Sequence, residues 1–583
     1  MPVVKGKELF LMADFSLLWP DGEPHSCCEL NEDTCNDLSL AMLCARLSKK
    51  EYDRNVILHI LRQVPGSARV VQYRVDVFDD ILRHPELRQH ITELLEQLEF
   101  LKSLHKHARD SEAASIWQII NRLNELDAYI DCVTGIKTTL ENSEIHSEGL
   151  RALLKLVQAI HADSGFPALK QDIKQVVSET GRIRSITLGV NLNRTLSPVE
   201  VGIVSINNKP YTRAGVLSNF YEFASARDGL HDGADSTSMK FHTPKEGSAP
   251  GMTSLKQIPG ANGAFTGMAR VISSGDGESN PLMNNLNGVM TDMLKPVVRK
   301  LNDVLARYVD VRGFSLISLI PELTFYLRWA ELTEALLAAG VPMCKPEIIP
   351  ECRREFYAEG LYNLKLGLKK ADGEALDIVL NHADFRAERR IYIMTGPNRG
   401  GKTTFTQAIG LIFLLAQQGL YVPAQRCILS PADNIFTHFP ADENRTVDLG
   451  RLGEESRRMS EIFSQATNRR LLLFNESLAT TNFEEGLYIA KDVVRALHYL
   501  GARTIFNTHM HELAMNLDEL NASEPGDSAV ASLITGIDDG KRSYRVSLAP
   551  PCGQSYARDI AKQYGVTFGQ IKASIDEKRK KES

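Results

Sequence analysis

At 583 residues, 43% hydrophobic and 24% charged, the chain has the composition of an ordinary globular protein and is too long for one hydrophobic core. Roughly two to four domains are expected. A net charge of -6 excludes a general affinity for polyanions, so any contact with nucleic acid must come from a local basic patch.

Taken in chain order, the N-terminal stretch Met1 to Leu18 is broken by Lys5, Lys7, Glu8 and Asp14 and lacks the layout of a secretory leader. Nine cysteines stand at Cys27, Cys28, Cys35, Cys44, Cys132, Cys344, Cys352, Cys427 and Cys552. An odd, scattered set fits reduced cytosolic thiols, and His25, Cys27, Cys28 and Cys35 lack the spacing of a zinc ribbon. Leu87, Ile91, Leu94, Leu98 and Leu101 recur at intervals of four and three, and Leu150, Leu153, Leu154, Val157 and Ile160 form a second stripe. Leu294, Val298, Leu301, Leu305 and Tyr308 make a third. Each stripe predicts a helix that packs along one face, and together they predict long helices lying lengthwise, as in a rod or lever. Between the second and third, Ile186–Val190 and Val199–Val204 predict short strands. Residues 226–288 are rich in Gly, Ser, Asn and Asp and read as a loop-like excursion.

After Pro350 strand and helix patterns alternate to about Val546, which predicts an α/β domain. Its most informative stretch is Gly396-Pro397-Asn398-Arg399-Gly400-Gly401-Lys402-Thr403, set between the apolar run Ile391–Met394 and the helical pattern from Phe405. Strand, glycine-rich turn and helix make the setting of a phosphate-binding loop. The glycines let backbone N–H groups face an anion, and the helix N-terminus adds unsatisfied donors and partial positive charge. Lys402 can reach terminal phosphates, and the Thr403 hydroxyl can hold Mg²⁺. The longest apolar run, Leu411–Ala416, is far below a bilayer span, so the expectation is a cytoplasmic protein.

Downstream, Leu471–Phe474 is an apolar strand that ends in Asn475-Glu476. Glu476 is placed to orient an attacking water. Thr504–Asn507 is another strand, and His509 follows its C-terminal end, where open α/β sheets bind ligands. Leu452-Gly453-Glu454-Glu455 predicts a helix start running on to Gln465, with acidic residues in the first turn. The tail from Gln563 carries a short helix and the basic run Lys578-Arg579-Lys580-Lys581, whose simplest reading is a solvated end.

Thr395–Thr404 resembles the phosphate loop of the MutS family of mismatch-repair ATPases, and Leu414–Ala424, Ile435–His438, Asn507–Leu513, Gly553–Ala557 and Ile560-Ala561 are similar to segments downstream of it. Tyr73–Leu82 resembles the entry to that family's helical core and lever domain. The resemblance implies an α plus α/β fold: a long-helix core and lever over 1–355, then an ABC-type P-loop ATPase domain over 356–583. It implies ATP and Mg²⁺ as cofactors, double-stranded DNA as partner, and a homodimer with composite ATP sites. Lys402 and the loop from Gly396 to Thr404 would hold phosphates, and Thr403 and Asn475 the Mg²⁺. Glu476 would activate water, His509 would sense the γ-phosphate, and Gly453 would act on the partner subunit's nucleotide.

Three departures matter. The family's Asp-Glu pair is here Asn475-Glu476, which keeps an oxygen but loses a charge, so slow hydrolysis is expected. The glycine-rich linker after that pair is replaced by Ser477-Leu478-Ala479-Thr480-Thr481-Asn482. The helical core starts within the first 70 residues or so, which leaves no room for the family's mismatch-reading and connector domains; Phe220-Tyr221-Glu222 matches the mismatch wedge only as a tripeptide. The leading expectation is therefore an ATPase that clamps branched or otherwise misshapen DNA. The alternatives are an ATP-binding switch with little hydrolysis and an ABC ATPase that acts on a protein.

Overall fold

The computed structural model describes residues 15–108, 130–162, 185–192, 194, 198–207, 253–254, 316, 318–397, 399–440, 450–478, 483–523, 525–526, 528–538, 541–551 and 564–582. The Asn398 position, the third apolar stripe, the Phe220–Glu222 tripeptide and nearly all of the 226–288 excursion lie outside these residues. So do Ala479–Asn482 and the segment from Gly553 to Ala561. Two compact units divide the chain. One draws on residues up to 89, 142–153 and 319 onward, and the other on 90–141 and 154–318. The first unit thus joins the N-terminal segment to the C-terminal half of the chain.

In the first unit β1 (Cys27–Glu29) pairs antiparallel with β2 (Gln63–Pro65), and α1 (Glu32–Asp37), α2 (Leu40–Leu47) and α3 (Glu51–Arg62) run between them. The side chain of Asn31 caps α1 by accepting from the Thr34 N–H, and Glu32 and Asp33 complement the helix dipole. His25 stacks on Trp19 with ring centroids 5.0 Å apart, while Cys27 and Cys28 lie in β1. Next come α4 (Ala68–Arg83) and α5 (Pro85–Ala108), where Leu87, Ile91 and Leu94 of the first stripe are buried. The second stripe lies in α6 (Glu148–Ala162), with Leu150, Leu153, Val157 and Ile160 buried and Leu154 half-buried. In the second unit Ile91, Leu94, Val133, Ile136, Val157 and Ile160 are all buried. There β3 (Ser185–Leu192), β4 (Pro198–Asn207) and β5 (Thr253–Ser254) form an antiparallel sheet.

The C-terminal part of the first unit holds α7 (Ile320–Ala338) and a four-stranded sheet. Its strands β6 (Glu347–Ile348), β7 (Phe356–Leu361), β8 (Asn381–Phe385) and β10 (Arg426–Leu429) run in the order β6-β10-β7-β8, and α8 (Leu364–Ala371) follows β7. The principal sheet has six strands: β9 (Arg389–Thr395), β11 (Ile435–His438), β12 (Leu471–Asn475), β13 (Arg503–Asn507), β14 (Ala529–Asp538) and β15 (Lys541–Leu548). Their order is β11-β12-β13-β9-β14-β15, parallel except for the antiparallel edge strand β15. Continuous apolar runs such as Ile391–Met394 and Leu471–Phe474 suit a parallel sheet covered on both faces.

Helix α9 (Lys402–Gln417) follows the phosphate-loop stretch and carries the Leu411–Ala416 run, fully buried. Gly419, at φ 80°, ends it: its N–H bonds to the Ala416 carbonyl at 2.9 Å and the Leu420 N–H to that of Leu415 at 2.9 Å. A Cβ there would also collide with the Arg74 backbone, so glycine serves both the turn and the close approach. Beside this turn Gln417 Nε2 donates to the carbonyls of Pro65 at 2.8 Å and Ala432 at 2.7 Å, and Gln418 Nε2 to that of Gln63 at 2.8 Å. The far end of α9 is thus tied to β2 through side-chain amides.

The remaining helices are α10 (Gly450–Gln465), α11 (Phe483–Leu500), α12 (His511–Met515), α13 (Leu517–Ala522) and α14 (Phe568–Glu582). Met459, Ile462, Val494, Leu497 and Leu513 pack with Phe474 and Phe506 on one face of the sheet. Helix α10 begins at Gly450, not at Leu452, and places Gly453 inside the first turn; a helix boundary is the feature that sequence marks least sharply.

Candidate functional site

Strands β12, β13 and β9 are neighbours in register, with Asn475 opposite Asn507 and Asn507 opposite Met394. The segments that leave their C-terminal ends therefore converge, as crevices of open parallel sheets require. After β9 the chain turns at Gly396, with φ 148°, where a Cβ would overlap the Thr535 hydroxyl. Arg399 takes φ 59° and Gly401 φ 90°, and the Gly400 N–H closes the turn on the Pro397 carbonyl at 3.0 Å. Gly401 caps α9, so the loop delivers the chain to a helix N-terminus with free donors. Lys402 is only 3% exposed, and its Nζ donates to the Gly396 and Pro397 carbonyls, each at 3.1 Å. Burial pushes the Lys402 ammonium below its ordinary pKa, partly offset by the negative charge of Glu476. The Thr404 carbonyl accepts from Asn363 Nδ2 at 2.9 Å, which ties the loop to the start of α8.

Thr403 Oγ1 donates to Asn475 Oδ1 at 2.9 Å, and Asn507 Nδ2 donates to the same oxygen. Asn475 is buried, and Asn507 is fully so. The hydroxyl and amide oxygens are the hard donors that Mg²⁺ prefers, so this pair fits the ion, but as a neutral set without a carboxylate. Next to it Glu476 Oε1 lies 2.8 Å from His509 Nε2, both side chains being 35% exposed. That hydrogen bond holds the Glu476 carboxyl below its usual pKa against the opposing effect of burial, with the His509 and Lys402 charges adding to it. Glu476 takes φ 52°, a left-handed backbone for a non-glycine residue, and its N–H bonds to the Asn507 carbonyl at 2.9 Å. Left-handed non-glycine residues cluster at functional sites.

Lys402, Thr403, Arg399 and Glu476 line one cavity of about 440 Å³. Its other wall includes Asn381 of β8 and Tyr544 of β15, neither of which stands out in the sequence. Asn381 Nδ2 donates to the Tyr544 carbonyl at 3.1 Å and its Oδ1 accepts from the Val546 N–H at 2.8 Å, which holds Tyr544 at φ 55° beside Gly401. A polar residue so far from Tyr544 along the chain carries no local signal, because the contact exists only once the two sheets are formed. Gly453 is not among the residues lining this cavity.

Residues 392–571 match the family model for MutS domain V, and residues 66–213 match that for the MutS2 N-terminal domain. The chain belongs to the MutS family. The DNA mismatch repair protein MutS of Chlorobium phaeovibrioides is 32% identical over 235 residues, which cover 40% of this chain and 26% of that protein. The MutS of Desulforamulus reducens is 39% identical over 128 residues, 22% of this chain and 15% of its own length. This MutS-family chain thus spans about a quarter or less of those relatives. Lys402, Thr403, Gly453, Asn475, Glu476 and His509 all fall inside the domain V match, whereas Asn381 precedes it. The MutS2 N-terminal match takes in α5, α6, β3 and β4. Among the described residues of this MutS-family protein no helix is long and apolar enough to cross a membrane.

Proposed function

We propose that this chain is a MutS-type ATPase that binds ATP in the cavity beside Lys402 and couples the nucleotide's state to the clamping of double-stranded DNA. The observation that carries the reading is the convergence of Lys402, Thr403, Asn475, Glu476 and His509 from three adjacent strand ends on one site. Loop amides from Gly396 to Thr404, Asn398 included, and the N-terminus of α9 would hold the phosphates. Lys402 would exchange its loop carbonyls for phosphate oxygens, which costs little because both are hydrogen-bond acceptors. Thr403 and Asn475 would hold Mg²⁺, which when bound neutralises phosphate charge. Glu476, kept ionised by His509, would accept a hydrogen bond from the attacking water and orient it, and His509 would sense the γ-phosphate.

In the same reading two copies pair, and Gly453 in the first turn of α10 faces the partner's nucleotide. Residues 1–355 would form the helical core and lever, with 226–288 as an excursion, and 356–583 the ATPase domain. Branched or mismatched DNA would be recognised by charge and shape, in the cytoplasm and on the nucleoid. The neutral Asn475, shared between Thr403 and Asn507, also favours a second reading: a switch that binds ATP tightly and hydrolyses it very slowly.

The test is Mg²⁺-dependent ATP hydrolysis by the purified protein with and without branched DNA, beside Glu476→Gln. Turnover that branched DNA changes and that Glu476→Gln lowers about 10²–10⁴-fold supports the ATPase. Tight ATP binding with no hydrolysis above that variant moves the protein to the switch reading. No DNA binding at low salt would remove the clamp and leave a protein partner.

A further inference from the structure

The turn that carries Glu476 is held from outside by α10. Glu476 and Leu478 both have left-handed backbones, with φ 52° and 64°, and neither is glycine. Such a pair persists only where neighbours over-determine it. Between them the Ser477 hydroxyl lies 2.7 Å from His438 Nδ1, and His438 Nε2 lies 3.2 Å from the Glu455 carbonyl. A carbonyl can only accept, so Nε2 carries the proton, Nδ1 is the acceptor and Ser477 the donor. Burial supports this neutral tautomer by pushing His438 down to about 4. The Leu478 N–H donates to Glu455 Oε2 at 2.7 Å. Backbone and side chain of one α10 residue thus reach the turn at two adjacent residues, Ser477 through His438 and Leu478 directly, in a place from which water is excluded: Ser477 is 2% exposed, Leu478 0% and His438 1%. Helix α10 is itself fastened, with Arg458 Nη1 donating to the Phe439 carbonyl at 2.9 Å and its Nε lying 3.0 Å from Asp33 Oδ2.

We infer that Glu455 is a positioning residue for Glu476: through Leu478, and through His438 and Ser477, it sets where the Glu476 carboxylate points. This rests on the reading of Glu476 as the group that orients water. Glu455 lies two residues beyond Gly453 on α10, so any displacement of the first turn of that helix is passed to the Glu476 turn. A nucleotide engaged by Gly453 in one subunit would thereby aim the carboxylate of that same subunit.

The experiment compares Glu455→Ala, Glu455→Gln and the unaltered full-length chain for ATP affinity, with a fluorescent ATP analogue, and for kcat and Tm. Positioning predicts that Glu455→Ala lowers kcat roughly 10–100-fold while ATP affinity changes less than about twofold. Glu455→Gln, which keeps an acceptor oxygen for Leu478, restores kcat to within about threefold. Unchanged kcat in Glu455→Ala overturns the inference, and so does a joint fall of kcat, affinity and Tm that Glu455→Gln does not rescue. If the unaltered chain binds the analogue but turns it over no faster than Glu476→Gln, Glu476 orients no water and the inference falls with it. If it binds no analogue at all, the nucleotide reading itself is what has failed.

Discussion

Two polar clusters are buried in the first unit, and they are built on opposite plans. In one, Arg74 is 1% exposed, donates Nε to the Leu18 carbonyl and Nη1 to Gln418 Oε1, each at 2.8 Å, and lies over Trp19. Beside it Glu322 accepts from the Ser16 hydroxyl at 2.7 Å and the Leu17 N–H at 2.6 Å. The other holds Asn475, Glu476 and His509, equally anchored but with Glu476 and His509 one-third exposed and the backbone held in a disfavoured conformation. The first uses its hydrogen bonds to pin the N-terminal segment into the core. The second leaves a carboxylate lining a cavity and an imidazole bonded to it one-third exposed. Burial of charge therefore does not by itself mark a candidate site in this protein; exposure of one side of the cluster and the strain beneath it do.

The contrast can be broken by substitution. Arg74→Met should destabilise the protein by about 2–5 kcal/mol, because it leaves the buried Leu18 carbonyl and Gln418 side-chain oxygen without their donor. Urea unfolding would measure the loss, and a loss below about 1 kcal/mol would mean that the N-terminal segment is held elsewhere. Burial pushes the Glu322 carboxyl up to about 7, which sharpens the same point through pH. Between the ordinary carboxylate range and about 7 the native state keeps a proton that the unfolded chain gives up, so stability falls as pH rises through that window. The loss totals roughly 3 kcal/mol and is absent in Glu322→Gln, so the difference between the two unfolding midpoints should narrow on acidification. At the second cluster Asn475→Asp should leave the fold unchanged and strengthen Mg²⁺. A charged acceptor contributes about 1.5–3 kcal/mol, so the Mg²⁺ concentration for half-maximal turnover should drop about tenfold or more. No change would show that Thr403 and the phosphates alone decide metal binding.

The site's main parts were legible because each is local: a glycine-rich turn after an apolar strand, and polar residues just past two others. Lys402, Thr403, Asn475, Glu476 and His509 could be named without knowing strand order, since a parallel sheet brings C-terminal strand ends together in any case. Glu455 could not, because its contacts with His438 and Leu478 depend on where α10 lies against β11 and the turn after β12. Nor could the Arg74 and Glu322 cluster, since a charged residue in a helical pattern reads as a solvated face until the segment that covers it is placed. The packing of α1 on β11, where Thr437 Oγ1 donates to Asp37 Oδ2 at 2.6 Å, joins residues that no periodicity links.

Helix α9 begins at Lys402 and ends where Gln417 and Gln418 are bonded to the carbonyls around β2. Sixteen residues of α-helix make a strut about 24 Å long, and this one is sheathed in core side chains along its length. A strut fixed at both ends has no slack in which to absorb a shift. Motion of the loop at one end is therefore expected to load the amide clamps at the other, and a shift in ATP affinity in Gln417→Ala would be its signature.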